Sequence, residues 1–488
     1  MPPVQLLFSS PAGPRSYGLL AASLIALSGC MTVGPDYSPP TMDAPMDWSQ
    51  SLPIGVSSAP VDTAALGNWW TQFNDPQLNR LIKEAVQGSL DLKTANARLR
   101  EARARRDIAA SRRFLTVGSK ASGTKASELI YYEGNAASGH YYEAGFDASW
   151  EADLFGGISR QIEQADAALA QSEEAYRDVL VSLIAEVAIN YTEIRLFQER
   201  IRVTESNRDS QNRSLELVEL SFAAGEVAKF DVDRARLNLD VTRSQLPSLK
   251  TGLDQSLNRL AILLGKPPGT LNAGFNEAKA IPSAPPSIAV GVPAAALRRR
   301  PDVRAAERGL AAQTAAIGVA TADLYPHLTM SGTIGIESID AGDPFTYSTG
   351  LFGLSPSMKW LLFDAGAVRR NIEIQSIRQE QALIAYESVV LRALNDVENA
   401  LVVYREEQLR QAILQDAERS AISALDIANR QYATGEIDYL IVLDAQRAVL
   451  SIQDLRALNQ AAITTSAISL FKALGGGWSS LAPPASAS

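Results

Sequence analysis

The sequence is poor in the side chains on which most metal and redox centres depend. Its 488 residues include one cysteine and two histidines. A single cysteine excludes an internal disulfide, a thiolate metal cluster and a Cys-x-x-Cys redox pair. The two histidines, His140 and His327, supply little material for a zinc site or a histidine relay. We therefore expect neither an enzyme nor a bound cofactor.

Positive charge and long apolar runs are also scarce. The 45 Lys and Arg residues against 54 Asp and Glu residues give a net charge of -9. This balance argues against nucleic acid as a partner, because phosphate binding needs a basic face. Beyond the N-terminal leader, no run of eighteen apolar residues could form a transmembrane helix, so a membrane crossing would have to use strands. Hydrophobic residues make up 46% of the chain, which is ample for a folded core.

The N-terminus has the features of a targeting segment. Residues 17–28 form a short apolar run, too short to cross a hydrocarbon layer of ~30 Å but suited to a signal peptide. We assign residues 1–29 to that peptide. The ending Leu27-Ser-Gly-Cys30 resembles the bacterial lipobox, which implies that Cys30 is lipidated and anchors residues 30–66 at a membrane surface. Met31, rather than aspartate, follows the cysteine, and the resemblance therefore implies the outer membrane.

The rest of the chain contains an internal duplication. Short sequences recur at a spacing of 210 residues, among them Trp150 and Trp360, Gly225-Glu226 and Gly435-Glu436, and Leu264-Gly265 and Leu474-Gly475. Such a common register indicates a duplicated domain. We place the first repeat at 67–265, a Pro-rich linker at 266–293, the second repeat at 294–475 and a tail at 476–488.

Each repeat contains an unusually long helical stretch. Residues 158–224 and 367–434 lack both glycine and proline and are rich in good helix formers. They predict long helices at 157–224 and 366–434, each about 100 Å long at 1.5 Å per residue, followed by a return helix. Helices of this length must pack laterally on one another, as in a coiled coil or a helical barrel.

Strand pairs are predicted before each long helix, at about 116–152 and 326–362. In residues 140–152 the aromatic residues Tyr142, Phe146 and Trp150 share one face, and acidic residues lie on the other. This alternation is typical of a transmembrane β-barrel with a wet lumen, and also of a half-buried sheet in a soluble protein. Four strands cannot close a barrel and an open edge in lipid is prohibitive, so a barrel requires several copies. Three copies would supply twelve strands.

The sequence resembles the TolC-type outer-membrane factors of the OprM/NodT lipoprotein branch. The matching motifs are Cys30 with Val33-Gly-Pro-Asp-Tyr37, Trp69-Trp70 with Phe73-Asn-Asp-Pro-Gln-Leu78, Ser149-Trp-Glu-Ala-Asp-Leu-Phe-Gly156, Arg299-Arg-Pro-Asp-Val303, Tyr432-Ala-Thr-Gly-Glu436 and Ala473-Leu-Gly-Gly-Gly-Trp478. The resemblance implies an α+β homotrimer in the outer membrane, with a 12-stranded barrel continued by a helical tunnel through the periplasm. It further implies efflux of drugs or other small molecules, delivered by an inner-membrane pump of the resistance-nodulation-division class through a periplasmic adaptor.

The turns after the long helices are candidate sites of contact with a partner protein. Gly225 and Gly435 follow Gly-free helices, where a left-handed cap residue is expected, and Glu226 and Glu436 come next. The simplest interpretation of both segments is a turn between two antiparallel helices. The resemblance implies that these tips also contact the adaptor.

A gate is predicted beside the second tip. Leu440 and Asp444 are four residues apart and share a helix face, and the resemblance implies that they form constricting rings in a trimer. It also implies that Tyr432 ties neighbouring helices together. From the residues alone, a solvated surface acid is the better interpretation of Asp444, and the alternative for Tyr432 is an aromatic side chain packed between helices. The equivalent of Asp444 in the first repeat is Arg234, so any acid ring comes from the second repeat.

Two other functions fit the same sequence. One is the exit duct of a type I protein secretion system, and the other is a poreless structural lipoprotein that spans the periplasm. Away from the tips, we expect Trp69-Trp70 to pack a collar around the tunnel rather than bind a ligand, and Arg298-Arg-Arg300 to be a solvated charge run.

Overall fold

A computed structural model describes residues 32–41, 44–132, 135–338 and 348–479. The predicted signal peptide 1–29, Cys30 and residues 480–488 of the predicted tail lie outside the described residues. None of the described helices has the length and apolar character needed to cross a membrane.

The chain is mainly helical, with one larger and one small sheet. The helices are α1 Thr63–Gly67, α2 Pro76–Gly88, α3 Leu90–Ser111, α4 Gly157–Ala223, α5 Lys229–Leu263, α6 Pro293–Arg299, α7 Pro301–Ala322, α8 Ala367–Ala433 and α9 Tyr439–Ala473. The strands are β1 Val56–Ser57, β2 Thr116–Tyr132, β3 Asn135–Ala152, β4 Ile288–Ala289, β5 His327–Ser338 and β6 Ser348–Lys359. Equivalent helices have equal lengths in the two halves: α4 and α8 have 67 residues each, and α5 and α9 have 35 each.

Glycines end the long helices and their return helices in the same way. After α4, the N–H of Gly225 donates to the carbonyl of Phe222 and the N–H of Glu226 to that of Ser221, both at 2.9 Å. This is the Schellman arrangement, in which a left-handed residue lets the chain satisfy the last helical carbonyls. Gly225 has φ +80° and Gly435, in the same position after α8, has φ +72°. The sequence therefore specifies both hairpin turns locally.

One compact unit contains the larger sheet and draws on the described residues within 1–39, 102–169 and 309–383. The sheet is antiparallel with the strand order β2-β3-β5-β6. In its middle, Gly145 pairs with Gly335, and a Cβ on Gly335 would lie 2.6 Å from the carbonyl oxygen of Ala144. The central strands approach closely here because both residues lack a side chain.

The other unit draws on residues 40–101, 170–308 and 384–488 and contains a large core. Trp69 and Trp70 are buried in it, and the Trp69 ring stacks on Phe471 with centroids 5.3 Å apart. Both tryptophans therefore pack in a core of this unit, and their place in a collar around a tunnel stays a prediction. β1 and β4 form a short parallel pair in this unit.

The expectation that Arg298-Arg-Arg300 is a solvated run is wrong. Arg298 is exposed, but Arg300 is 9% exposed and its guanidinium contacts both carboxylate oxygens of Asp302, at 3.0 and 2.7 Å. It also donates to Asp396 at 2.9 Å and to the carbonyls of Ala393 and Ala473. A charge run in sequence says nothing about which members meet partners from distant segments. Arg300 is a buried cross-link between α7, α8 and α9.

Candidate functional site

One face of the four-stranded sheet is apolar and exposed. The register places Phe146, Ile334 and Phe352 side by side on adjacent strands. Their exposed fractions are 59%, 61% and 83%. Val117, Leu354 and Met358 extend the same face and are also exposed. Large exposed apolar surfaces mark contacts with lipid or with other protein.

The opposite face of the sheet is polar. Ser149, Ser331 and Ser355 form one row across three strands, and Asp147 lies opposite Thr333 in the next. Near the edge, Lys120 Nζ lies 2.9 Å from Glu143 Oε2. Strands with one apolar and one polar face suit a wall between lipid and water.

Two tryptophans tie the sheet to the helices that precede its strand pairs. Trp150 donates from Nε1 to the carbonyl of Arg113 at 3.0 Å, and Trp360 donates to that of Leu324 at 3.1 Å. Arg113 and Leu324 lie just beyond the ends of α3 and α7. Each indole therefore satisfies a carbonyl that the helix end leaves free. The repeat spacing of 210 residues predicted that Trp150 and Trp360 are equivalent, but it did not predict their hydrogen bonds to the helix-end carbonyls.

The outer strands of the sheet have one neighbour each. Among the described strands, β2 pairs with β3 and β6 pairs with β5, and no strand covers their other sides. An uncovered edge presents a row of backbone donors and acceptors to another strand. Within the described part of the chain, the sheet is thus an open segment.

His327 makes a contact that the sequence did not reveal. Its Nδ1 lies 2.8 Å from Glu151 Oε1, and its Nε2 lies 3.8 Å from Asp323. Glu151 is 176 residues away in the chain, so no local pattern could link the two. The described residues contain no group of three or more His, Cys, Asp or Glu residues suited to a metal ion.

The helical hairpin tips are exposed. Nothing lies within 4 Å of a Cβ built on Gly225 or on Gly435. Glu226 and Glu436 are exposed beside them. Each tip is therefore an exposed tight turn that carries a carboxylate.

A small apolar cluster, which we call the tip cluster, lies beneath the turns. Its buried members are Leu215, Val218, Val232, Ala235, Leu239, Ala428, Tyr439, Val442 and Leu443. Tyr432 packs against it, with its ring centroid 5.2 Å from that of Tyr439. Burial raises the pKa of Tyr432, and the nearby Asp231 and Glu226 raise it further. Burial is also the main reason why the pKa of Tyr439 rises to about 12.

The Tyr432 hydroxyl is buried and makes no hydrogen bond within the described chain. The ring packs between helices, which is the simpler of the two roles expected for it. Its role as a tie between neighbouring helices stays a prediction.

Leu440 and Asp444 lie together on α9 and both are exposed. The side chain of Asp444 is 66% exposed, and its nearest cation is Arg447, with Nη1 3.9 Å from Oδ1. Arg447 in turn donates from Nε to Asn238 Oδ1 at 2.9 Å. Sequence reasoning missed Arg447, although its i,i+3 spacing from Asp444 was the available signal. The Asp444 carboxylate therefore has a guanidinium close to it on the same helix.

Comparison with known proteins gives consistent matches over nearly the whole chain. The family model of outer membrane efflux proteins matches residues 81–266 and again residues 292–476. Nodulation protein T of Rhizobium leguminosarum bv. trifolii is 33% identical over 438 residues, covering 87% of this chain and 90% of the relative. Cation efflux system protein CusC of Escherichia coli O6:H1 is 31% identical over 464 residues, covering 93% of this chain and 97% of the relative.

The fold is similar to that of solved channels. The outer-membrane channel OprN superimposes with a TM-score of 0.84 at 35% identity, covering 92% of this chain and 99% of the channel. A crystal structure of CusC gives a TM-score of 0.78 at 28% identity, covering 91% of this chain and all of that one.

Proposed function

The chain belongs to the family of outer membrane efflux proteins, and from this membership we propose that three copies assemble into one exit duct. As a member of this family, the protein is an outer-membrane efflux channel. The proposal concerns how it is built, what it works with and where it closes.

The observation that supports assembly of several copies into a ring is the open four-stranded sheet. β2 and β6 each leave one edge uncovered within the described residues, and the exposed apolar face includes Phe146, Ile334 and Phe352. In lipid, an unpaired strand edge is prohibitive because no water satisfies its backbone groups. Pairing β6 of one copy with β2 of the next removes every edge when the ring closes. Three copies supply twelve strands, a size within the known range of membrane barrels.

The long helices supply the periplasmic part of the duct. α4 with α5 and α8 with α9 give four helices per chain, so a trimer would wall a tunnel with twelve. The exposed tips at Gly225-Glu226 and Gly435-Glu436 would contact a periplasmic adaptor, which links the duct to an inner-membrane transporter of the resistance-nodulation-division class. That transporter supplies the energy, and the duct performs no covalent chemistry.

The gate is proposed at the second tip. Leu440 and Asp444 are exposed in the single chain and would face the tunnel axis as rings of three. Carboxylates brought together repel one another, so such a ring attracts cations and opens readily when its members separate. Tyr432 would hold the neighbouring helices in the closed arrangement. Cys30 would carry the lipid that anchors each copy to the outer membrane.

The transported compound is a small molecule delivered by the partner pump. Relatives are named for efflux of cations, solvent and toluene and for pyoverdine export, which supports a duct whose selection is made elsewhere. The efflux names favour this function over a type I secretion duct. The exposed apolar face of the sheet argues against a poreless periplasmic scaffold, because such a protein would not need a surface that contacts lipid.

The experiment is planar-bilayer recording of the purified full-length protein, combined with drug susceptibility of a strain that lacks it. We expect discrete conductance steps and increased susceptibility to at least one exported compound. The matched test replaces Phe352 by Asp on the apolar face, with Ser355→Asp on the polar face as control. Loss of insertion in Phe352→Asp alone supports the barrel; equal insertion of both variants refutes it.

A further inference from the structure

Residues 32–36, which lie one residue beyond the predicted lipidation site, contact the sheet-bearing unit chiefly through Val33, whereas the residues on either side of it are exposed. Val33 is 7% exposed, and its N–H donates to the carbonyl of Phe155 at 3.1 Å. An exposed linker would show neither burial nor such a bond. This segment belongs to the packed structure of its unit.

Arg160, in the first turn of α4, makes most of the polar contacts to this segment. Its side chain is 3% exposed. Nε donates to the carbonyl of Val33 at 3.0 Å, and Nη2 donates to the carbonyl of Gly34 at 3.3 Å and to Asp36 Oδ1 at 2.7 Å. Nη1 donates to Glu163 at 2.7 Å, which orients the guanidinium. Two backbone carbonyls, of Val33 and Gly34, and the exposed carboxylate of Asp36 thus accept from one guanidinium, an arrangement that a lysine could not reproduce.

Three glycines let the backbones approach closely enough for these bonds. A Cβ on Gly34, which has φ +87°, would collide with the Cα of Gly318. A Cβ on Gly318 would lie 2.7 Å from Cγ of Arg160. A Cβ on Gly156 would lie 2.8 Å from the Cα of Thr32. Residues 32–34 therefore lie in direct backbone contact with α7 and with the residue that precedes α4, and Val33 is the buried residue among them.

We propose that Arg160 and these glycines form an anchor lock, which fixes the lipidated N-terminus to the sheet-bearing unit. The proposal rests on the lipidation of Cys30 in the proposed function. Cys30 is two residues from Thr32, so covalent geometry limits the free tether to about 7 Å. Release of residues 32–41 would add ten residues, or about 35 Å of reach. The lock therefore makes the lipid a positioning element that holds the sheet at the membrane surface during insertion.

The test measures access to Val33 in the full-length protein. A Val33→Cys variant supplies a thiol that should react slowly with a maleimide reagent while the lock is closed. Adding Arg160→Ala should accelerate labelling at residue 33 at least tenfold, and Arg160→Lys should restore only part of the protection. Arg106→Ala is the control, because it removes an exposed ion pair to Asp166 in the same unit.

A pair of glycine variants keeps the test valid if Arg160→Ala fails to fold. Gly34 and Gly366 have nearly equal φ values, +87° and +88°, but nothing lies within 4 Å of a Cβ on Gly366. Gly34→Ala should therefore expose residue 33, whereas Gly366→Ala, with the same backbone strain, should not. Equal labelling in all variants, fast or slow, would overturn the lock.

Two further readouts separate the lock from the lipid. Mass spectrometry of the N-terminal peptide reports lipid on Cys30, which should be present in every variant. An unlipidated Cys30 would overturn the proposed anchor and with it the positioning role of the lock. With lipid present, the amount of heat-resistant oligomer in the outer membrane should fall several-fold in Gly34→Ala and remain unchanged in Gly366→Ala. Unchanged assembly in Gly34→Ala would refute the positioning role.

Discussion

Three consecutive arginines should respond to mutation in three different ways. Arg298 is exposed, Arg299 has Nε and Nη2 buried without a hydrogen-bond partner, and Arg300 is buried among paired carboxylates. Burial lowers the pKa of Arg299, as expected for a partly desolvated charge that forms no ion pair with the described residues. We consider Arg298→Met, Arg299→Met and Arg300→Met, which each replace the guanidinium by an apolar chain of similar length.

The Arg300 contacts set the magnitude for that site. Removing it breaks two ion pairs and takes one hydrogen bond from the carbonyl of Ala473 at the end of α9, whereas the carbonyl of Ala393, inside α8, keeps its place in the helical hydrogen-bond pattern. Breaking a buried ion pair destabilises by about 3–5 kcal/mol. Asp396 is half-exposed and regains water, so the lower end of that range, about 3 kcal/mol, applies. Arg299→Met should be neutral or stabilising, because an unpaired buried charge is removed. Arg298→Met should change the stability by less than about 0.5 kcal/mol.

The assay is urea unfolding of the purified protein in detergent, followed by helical circular dichroism. With a denaturant slope of about 3 kcal/mol per molar, Arg300→Met should lower the midpoint by about 1 M. The other two variants should keep or raise it. An unchanged midpoint for Arg300→Met, or the same loss in all three, would refute the reasoning from burial and pairing.

Three more predictions address the sheet and the tips. Trp150→Phe and Trp360→Phe each lose one hydrogen bond to a helix-end carbonyl and should each destabilise by about 1 kcal/mol, measured as a lower dissociation temperature of the oligomer; no change in either variant would contradict the tie. Leu440→Ala with Asp444→Ala should raise single-channel conductance, and an unchanged conductance would remove the gate from this position. Because the pKa of Tyr439 is raised to about 12, its contribution to stability is complete below pH 10 and falls as the pH rises to 12. Tyr439→Phe should flatten that alkaline loss and remove one late-titrating phenol from the absorbance at 295 nm; an unchanged titration would contradict the assigned burial.

Features that depend on local sequence were accessible without a structure. The two Gly- and Pro-free stretches, 158–224 and 367–434, correspond to the helices Gly157–Ala223 and Ala367–Ala433. Their ends follow from the glycines, because a left-handed residue is needed to close each helix. The alternation in residues 140–152 corresponds to a strand with Phe146 and Trp150 exposed on one face.

Weaker local patterns needed the register of neighbouring strands. The strand β2 has little alternation of its own, and the first repeat has Leu115 where the second has Pro326. It nevertheless begins at Thr116, in the position equivalent to His327, because pairing with β3 defines it. A strand at a sheet edge is specified by its partner as much as by its own residues.

Side-chain contacts between residues far apart in the chain could not be predicted from the sequence. Arg300 contacts Asp396, Arg160 contacts Asp36, and His327 contacts Glu151, each at a separation of 96 residues or more. Charge and composition show that such residues need partners but not which partner each meets. The same limit applies to Arg447, whose bond to Asn238 bridges the two hairpins.

The most direct measurement of the central claim is cryo-electron microscopy of the full-length protein in detergent or nanodiscs. We expect threefold particles in which β6 of each copy pairs with β2 of the next, so that twelve strands form a closed barrel. A particle with another number of copies, or a four-stranded sheet whose edges stay open, would contradict it.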